Sequence, residues 1–255
     1  MKKITLIITV FLFAFGNAST AQTAKEIAYK VYNKETPKDG ESDMTMTLIN
    51  KKGSKRVRKL HQFFIDLGEV EKQLMFFTAP ADVKNTAFMN WSYTAADKND
   101  DQWLYLPALK KVKRISSSNK DNDFMGSDFT YEDMEKRSPE RDEHKLSETT
   151  TYNGELVWVV SATPIEEEQY SKKIAWISQE KNTPLKIEFY DEDEELLKIL
   201  KITTITKINN YWIVQDQEME NIQTKHKTQI NLTNLVIDKN LSEGKFSQRA
   251  MQKGL

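Results

Sequence analysis

Alternating apolar and polar residues dominate the chain beyond residue 40. Met44, Met46 and Leu48 alternate with threonines, and a Lys-Lys-Gly-Ser turn at residues 51–54 leads into a second alternating run over residues 57–65. A period of two is typical of strands that bury one face. The two runs and the turn between them predict a β-hairpin.

Eight further runs have strand length and are bounded by Gly, Asn, Asp or Pro. They occupy residues 70–80, 101–115, 155–164, 171–178, 184–191, 196–208, 211–221 and 225–237. Amphipathic helical stretches that could link parallel strands are missing between them. The pattern therefore predicts a mainly β protein, with about ten antiparallel strands in a large sheet or barrel.

Two helices are predicted at the ends of this pattern. Thr23 and Glu26 have the spacing of a capping box, and apolar residues such as Ile27 recur on one helical face up to about Lys34. The last residues, 246–255, predict a short helix.

The first residues have the form of a secretory signal peptide. A basic start is followed by an apolar run over residues 4–15 and by the small residues Ser19 and Ala21. As a helix, the apolar run would span about 18 Å, against a hydrocarbon core of about 30 Å. We expect residues 1–21 to be a signal peptide cleaved after Ala21, and residues 22–255 to form one exported domain.

Composition narrows the class of protein. The formal net charge is −1, although 29% of residues are charged. A near-neutral balance of this kind gives no reason to expect a nucleic-acid partner. Cysteine is absent, which excludes both disulfides and a lipid-bearing cysteine.

Catalytic and metal-binding patterns are not recognisable in the sequence. His61, His144 and His226 lie far apart, and no nucleophile elbow, phosphate-binding glycine loop or zinc-binding helix occurs. Acidic runs at residues 166–168 and 191–195 fit solvated loops and hairpin tips. We therefore predict no enzyme activity, no cofactor and no metal.

The densest information lies in residues 103–134. Trp103 and Tyr105 would lie on one face of a strand and Leu104 and Leu106 on the other, so both faces are apolar. Either the second face is covered by other chain segments, or it lines an interior that accepts an apolar ligand. A basic strand, a polar loop and an aromatic segment follow, in which Thr130 could cap a short helical turn.

The motif WLYLPALKKVKRI at residues 103–115 and the motif FMGSDFTYEDM at residues 124–134, together with FTAPADVKNTAFMNW and TYNGELVWVVSATP, resemble the outer-membrane lipoprotein-sorting protein family of the LolA-like superfamily. The resemblance implies a periplasmic protein with an incomplete, strongly curved antiparallel β-barrel, short helices over its concave side and an apolar cavity for acyl chains.

Apolar residues at alternating strand positions are the candidate lining of this cavity, because flexible methionine and large aromatic side chains suit a wall that adapts to a mobile chain. The candidates are Met44, Met46, Leu48, Phe64, Phe76, Trp91, Trp103, Tyr105, Met125, Phe129, Trp176 and Trp212. The alternative is that they fill an ordinary core.

Residues 116–137 are the candidate lid of the cavity, and we call them the lid segment. Its structural residues would be Gly126, Asp128, Tyr131 and Glu132, with Arg114 beside it. We expect Arg114 to pair with Asp128 or Glu132 and to hold the lid segment against the strand.

The leading functional hypothesis is a monomeric periplasmic carrier or chaperone that binds acyl chains of lipids or lipoproteins for transfer to the outer membrane. Its partners would be an inner-membrane transporter or an outer-membrane acceptor. The alternative is an accessory subunit that docks on a lipid-exporting transporter and uses its apolar interior only as a core.

Overall fold

A computed structural model describes residues 22–95 and 98–255. The predicted cleavage site after Ala21 and the signal peptide before it lie outside the described residues. The sheet contains thirteen antiparallel strands and is not closed, which confirms the predicted mainly β, open architecture. Among the described residues, no helix is long and apolar enough to cross a membrane.

The sheet and its two helices have the following bounds. The strands are β1 Asp39–Ile49, β2 Lys55–Asp66, β3 Val70–Ala79, β4 Ala87–Tyr93, β5 Asp101–Leu106, β6 Lys111–Arg114, β7 Asp142–Tyr152, β8 Glu155–Pro164, β9 Lys172–Ser178, β10 Thr183–Tyr190, β11 Leu196–Ile208, β12 Tyr211–Asn221 and β13 His226–Ile237. The helices are α1 Ala24–Tyr32 and α2 Gln248–Lys253.

The strand order explains where the lid segment lies. The sheet runs from β6 through β5, β4, β3, β2 and β1 to β13, and then back through β12 to β7. Strands β6 and β7 are consecutive in the chain but occupy opposite edges of the sheet. The connection between them, which contains the lid segment, has to cross one whole face.

Two strands make up most of the difference between about ten predicted strands and the thirteen found. The sequence pattern did not single out β4 or β7. Strand β7, DEHKLSETTTY, is an exposed edge strand with few apolar residues, so it has no apolar face to reveal its period. Strand β4, AFMNWSY, is almost continuously buried, so it shows little alternation.

Register shifts interrupt six strand pairs of the sheet, for example between Ile202 and Thr204 and between Leu146 and Glu148. An extra residue on one strand of a pair bends the strand and increases its twist. Such shifts allow a sheet of this length to curve. The lid segment bonds to strands in both halves of the sheet, so the face that it covers is the concave side.

The sheet carries a separate apolar cluster on each face. The concave cluster draws residues from both halves of the sheet and from the lid segment. The cluster on the opposite face involves strands β2 to β6 and is covered by Phe246 and Met251 at the C-terminal end. Strands β2 to β4 are therefore sandwiched between two layers of chain.

Helix α1 begins as predicted. The Thr23 hydroxyl accepts a hydrogen bond from the Glu26 N–H at 3.2 Å, and the Glu26 carboxylate accepts one from the Thr23 N–H at 2.8 Å. Ile27 packs on Val160 and Ile177. By strand pairing these wall residues belong to the concave side, so α1 and the lid segment cover the same face.

Candidate functional site

Three aromatic side chains of the lid segment fill the concave face. Phe124, Phe129 and Tyr131 are all buried, and Phe124 is only 1% exposed. The Phe124 ring lies 5.0 Å from the Phe88 ring and 5.6 Å from the Tyr131 ring, both in edge-to-face geometry. The wall beneath them is apolar and rich in methionine. It includes Met46, Leu48, Leu60, Met75, Phe77, Phe88, Met219 and Ile230.

A tight turn aims these rings at the wall. Met125 and Gly126 have left-handed backbone angles, φ 53° and 72°. The turn brings the Phe124 N–H to the Phe129 carbonyl at 2.7 Å. Gly126 reaches this conformation without the steric cost that a β-carbon would impose.

The lid segment contains its own network of hydrogen bonds. The Thr130 N–H donates to the Asp133 carboxylate at 2.8 Å, and the Asp133 N–H donates back to the Thr130 hydroxyl at 3.2 Å. Thr130 thus bonds Asp133 as predicted, but the short helix Glu132–Met134 begins after Tyr131 and has no side-chain cap. Within the described residues, all backbone-to-backbone bonds of residues 116–137 stay inside the segment.

Four buried side chains of the wall donate hydrogen bonds to carbonyl oxygens of the lid segment. The Arg58 guanidinium on β2 bonds the Met125 carbonyl. The carbonyls of Asp128, Tyr131 and Met134 accept bonds from Lys198 Nζ on β11 at 2.9 Å, Gln102 Nε2 on β5 at 2.8 Å and Asn90 Nδ2 on β4 at 3.2 Å. Exposure of these donors is 5% for Arg58, 3% for Lys198, 0% for Gln102 and 4% for Asn90.

The carboxylates of the lid segment are bound to the same wall. Asp128 accepts hydrogen bonds from the Thr228 hydroxyl at 2.7 Å and from His226 Nδ1 at 2.8 Å. Asp133 lies 2.8 Å from Lys198 Nζ. Burial works to raise the pKa of Asp133, but the Lys198 and Lys173 charges and the hydrogen bonds outweigh it, and the pKa lies below its usual value.

Glu132 lies in a third group of buried charges. Its carboxylate is 3.4 Å from the Arg137 guanidinium and 3.9 Å from Lys173 Nζ. Burial raises the pKa of Glu132 and lowers the pKa of Lys173, because both groups lose water when the lid segment covers them. The lid segment is therefore held by apolar contacts and by side-chain bonds to strands from both halves of the sheet.

A cavity of 410 Å³ opens where the lid segment ends. Its lining includes Phe64, Gln73, Asn90, Ser92 and Met134. Its walls join polar amides to the edge of the apolar cluster. Among the described residues, no group of three or more acidic or histidine side chains could hold a metal ion.

Solved structures share this architecture. A domain from Vibrio parahaemolyticus, named for outer membrane lipoprotein sorting, is 34% identical, and the match covers 90% of this chain and 98% of that chain with a TM-score of 0.84. This chain belongs to the outer-membrane lipoprotein-sorting protein family.

Other solved structures share the same fold. A DUF1329 family protein from Desulfovibrio piger is 28% identical, with coverage of 89% and 97% and a TM-score of 0.83. A LolA superfamily protein from Nitrosomonas europaea shares the fold at 18% identity, with coverage of 90% and 100% and a TM-score of 0.69. A family model described as "Uncharacterized protein" matches residues 69–253. No curated protein matches the chain.

Several residues predicted to line the cavity of this protein lie on the concave side. Met46, Leu48 and Phe129 are buried in the concave cluster, and Met44 and Met125 pack against it. The predicted lid residues Gly126, Asp128, Tyr131 and Glu132 lie in the segment that covers this cluster. Phe64 lines the adjoining cavity. Whether these residues contact a ligand stays a prediction.

Four predicted lining residues face the other way, which corrects the expectation that they share a cavity with the methionines. Phe76 and Trp103 are buried in the cluster under α2, and Trp91 and Tyr105 pack against it. The reason is strand alternation, since Phe76 and Phe77 are adjacent and point to opposite faces. Both are apolar, so the sequence could not distinguish the faces.

Trp176 and Trp212 also lie away from the lid segment. Lys186 Nζ lies 4.0 Å from the centre of the Trp176 ring. Trp212 is flanked by Lys181 and Lys207, whose amino groups lie 5.3 Å and 5.2 Å from its ring. Neither ring belongs to the concave cluster, and Trp212 lines a separate cavity beside α1, which corrects the expectation that they share a cavity with the methionines.

The expected pairing of Arg114 with Asp128 or Glu132 is wrong. Arg114 forms its ion pair with Asp101 on the neighbouring strand β5, and its side chain is 66% exposed. The Arg114 side chain is on the same face as Trp103, its partner across the strand pair, and so on the side opposite the lid segment.

Sequence reasoning missed the four wall donors that bind the lid segment. Arg58 precedes Leu60 by two residues, and Lys198 precedes Leu200 by two, so each takes a position where the alternation calls for an apolar side chain. A polar residue in the apolar register of a strand was the signal available for Arg58 and Lys198.

Proposed function

We propose that this protein is a non-enzymatic periplasmic carrier that shelters acyl chains of lipids or lipoproteins between its concave wall and the lid segment, for delivery to the outer membrane. The observation that carries the proposal is the mode of attachment. Every described hydrogen bond between the lid segment and the sheet uses a side chain, so the segment can lift without breaking the strand ladder.

Burial of an acyl chain can compensate for the apolar burial that the lid aromatics would lose. Burying an aromatic side chain is worth about 2 kcal/mol, so lifting Phe124, Phe129 and Tyr131 would cost about 6 kcal/mol in lost burial. A sixteen-carbon chain gains about 13 kcal/mol when it leaves water, at about 0.8 kcal/mol per methylene. Cargo in the concave site can therefore offset the exposure of the three rings.

A reversible lock on the lid segment tests this proposal. The chain has no cysteine, and the side chains of Asp128 and Thr228 meet at 2.7 Å across the boundary between lid segment and β13. Asp128→Cys with Thr228→Cys places one thiol on each side of this boundary, and oxidation is used to join them. We expect the oxidised form to take up no fluorescent fatty acid and the reduced form to take it up.

The matched control joins two residues inside the lid segment. Asp123 and Thr130 form an antiparallel bridge, so Asp123→Cys with Thr130→Cys closes a disulfide that leaves the segment free to lift as a unit. Uptake should survive oxidation in this variant. Equal uptake by both oxidised proteins would show that cargo does not enter under the lid segment.

The filled interior favours a second candidate function, an accessory subunit that docks on a lipid-exporting transporter. In the described state, lid aromatics occupy the concave face, as a permanent core would. Protein purified from its own periplasm separates the two functions. A carrier should release acyl lipids on solvent extraction, and a docking subunit with a permanent core should release none.

A further inference from the structure

Around residues 128–133, the lid segment is acidic and the facing wall is basic. The lid segment contributes the carboxylates of Asp128, Glu132 and Asp133. The facing basic groups of the sheet are Arg58, Lys173, Lys198 and His226. When the lid segment lifts, its acids leave with it, and the basic groups remain on the wall.

Two of these basic groups would be left in a costly position. Arg58 and Lys198 are almost completely buried, and their described hydrogen-bond acceptors all belong to the lid segment. The Arg58 Nε atom has no partner even in the covered state. A cation held in an apolar wall without an acceptor is strongly disfavoured.

Outside the lid segment, these cations have no hydrogen-bonded carboxylate among the described residues: Lys198 lies over the Tyr170 and Phe189 rings at 4.9 Å and 5.3 Å, and Arg58 feels the charge of Asp82 without a hydrogen bond to it. Asp100 is a buried wall carboxylate at the start of β5, where it bonds the Ser92 hydroxyl and the Tyr93 N–H. It is not bonded to Arg58 or Lys198. Both cations instead bond carbonyl oxygens within residues 125–128 of the lid segment, so they converge on one short stretch of chain.

We infer that the cargo carries an anionic group beside its acyl chain, a phosphate or a carboxylate, which Arg58 and Lys198 bind after the lid segment lifts. This inference rests on the proposed carrier function and specifies its class of ligand. The anion replaces the carbonyls of residues 125 and 128 and the Asp133 carboxylate, while the acyl chain replaces the aromatic rings. A neutral lipid would bury both cations without a counter-charge.

Three probes with the same palmitoyl chain test the inference: lysophosphatidylglycerol, palmitate and monopalmitoylglycerol. Affinity is measured on the full exported chain by displacement of a fluorescent fatty acid. We expect the two anionic probes to bind about tenfold or more tightly than the neutral one, the size of one hydrogen bond to a charged group. The first two probes distinguish a phosphate from a carboxylate.

Two substitutions test whether Arg58 and Lys198 cause the preference for anionic probes. Arg58→Met and Lys198→Met keep an apolar stem and remove the charge. In each variant, the ratio of affinities for anionic and neutral probes should fall to about twofold. Lys201→Met is the matched control. Lys201 lies on the same strand as Lys198 but is exposed on the opposite face, so this variant should keep the full ratio.

The binding measurements separate failure of the inference from failure of the carrier function. Equal binding of neutral and anionic probes by the unmodified protein overturns the inference and leaves the carrier function standing. A preference that persists in both methionine variants also overturns it. If none of the three probes binds, the carrier function fails and the inference fails with it. The comparison on the unmodified protein decides the matter even if a variant does not fold.

Discussion

Replacing Phe124 with alanine should loosen the lid segment without reaching the opposite face of the sheet. The ring is 1% exposed and lies 5.0 Å from Phe88, 5.6 Å from Tyr131 and 6.2 Å from Phe77. Removing a buried phenylalanine costs about 3 to 5 kcal/mol. We take about 3 kcal/mol, since a loop relaxes around the vacancy more easily than a strand does.

At 1.4 kcal/mol for each factor of ten, this loss raises the equilibrium constant for opening by more than about a hundredfold. The assay is native-state hydrogen exchange. Amides bonded inside the lid segment, such as the Phe124 N–H to the Phe129 carbonyl and the Tyr131 N–H to the Asn122 carbonyl, should exchange faster by that factor.

Phe76→Ala is the matched control, since Phe76 is equally buried but lies in the cluster under α2. The Phe76→Ala variant should exchange β3 amides faster, because it lowers the free energy of global unfolding. It should leave the opening equilibrium of the lid segment unchanged, because the contacts of Phe76 persist when the lid segment lifts. The reasoning is refuted if lid and β3 amides of the unmodified protein exchange at one rate and Phe76→Ala accelerates both alike. The lid segment would then unfold only with the sheet.

Three further predictions concern charge and packing. Asp133→Asn should make the free energy of unfolding fall less between pH 5 and pH 3, as measured by urea unfolding. The pKa of Asp133 is depressed in the folded protein, so its carboxylate stabilises the fold above the unfolded pKa near 3.8. This stabilisation is lost as pH falls through the lower folded pKa. Gly40→Ala should lower the free energy of unfolding in urea by about 1 to 3 kcal/mol, because an added β-carbon would lie 2.5 Å from the Val236 carbonyl oxygen. Gly244→Ala is the control and should have little effect, because the nearest atom to its β-carbon would be 3.6 Å away. Arg114→Glu should cost less than about 1 kcal/mol and leave exchange in the lid segment unchanged, because the exposed pair with Asp101 lies outside it; faster lid exchange would contradict this placement.

Local patterns were sufficient for most of the sheet. The hairpin of β1 and β2, the capping box at Thr23 and the short C-terminal helix follow from periodicity and from spacings of three residues, which are properties of neighbours along the chain. The edge strand β7 was not singled out because a polar strand has no apolar period, and β4 because a strand buried on both faces alternates little.

The choice of face needed the tertiary structure. Leu74, Met75, Phe76 and Phe77 are all buried apolar residues, two on each side of β3, and only the position of α2 and of the lid segment decides which pair meets which layer. The same limit explains why Trp103 was assigned to the cavity and lies instead under α2.

The sequence by itself determined the strand-rich architecture, the two terminal helices and the resemblance to the lipoprotein-sorting family, because each depends on residues close together in the chain. The tertiary structure alone decided that the connection from β6 to β7 crosses the concave face, and that Arg58 and Lys198, 140 positions apart in the numbering, bond the same short stretch of it. Such convergence depends on strand order and on curvature, which no local pattern encodes.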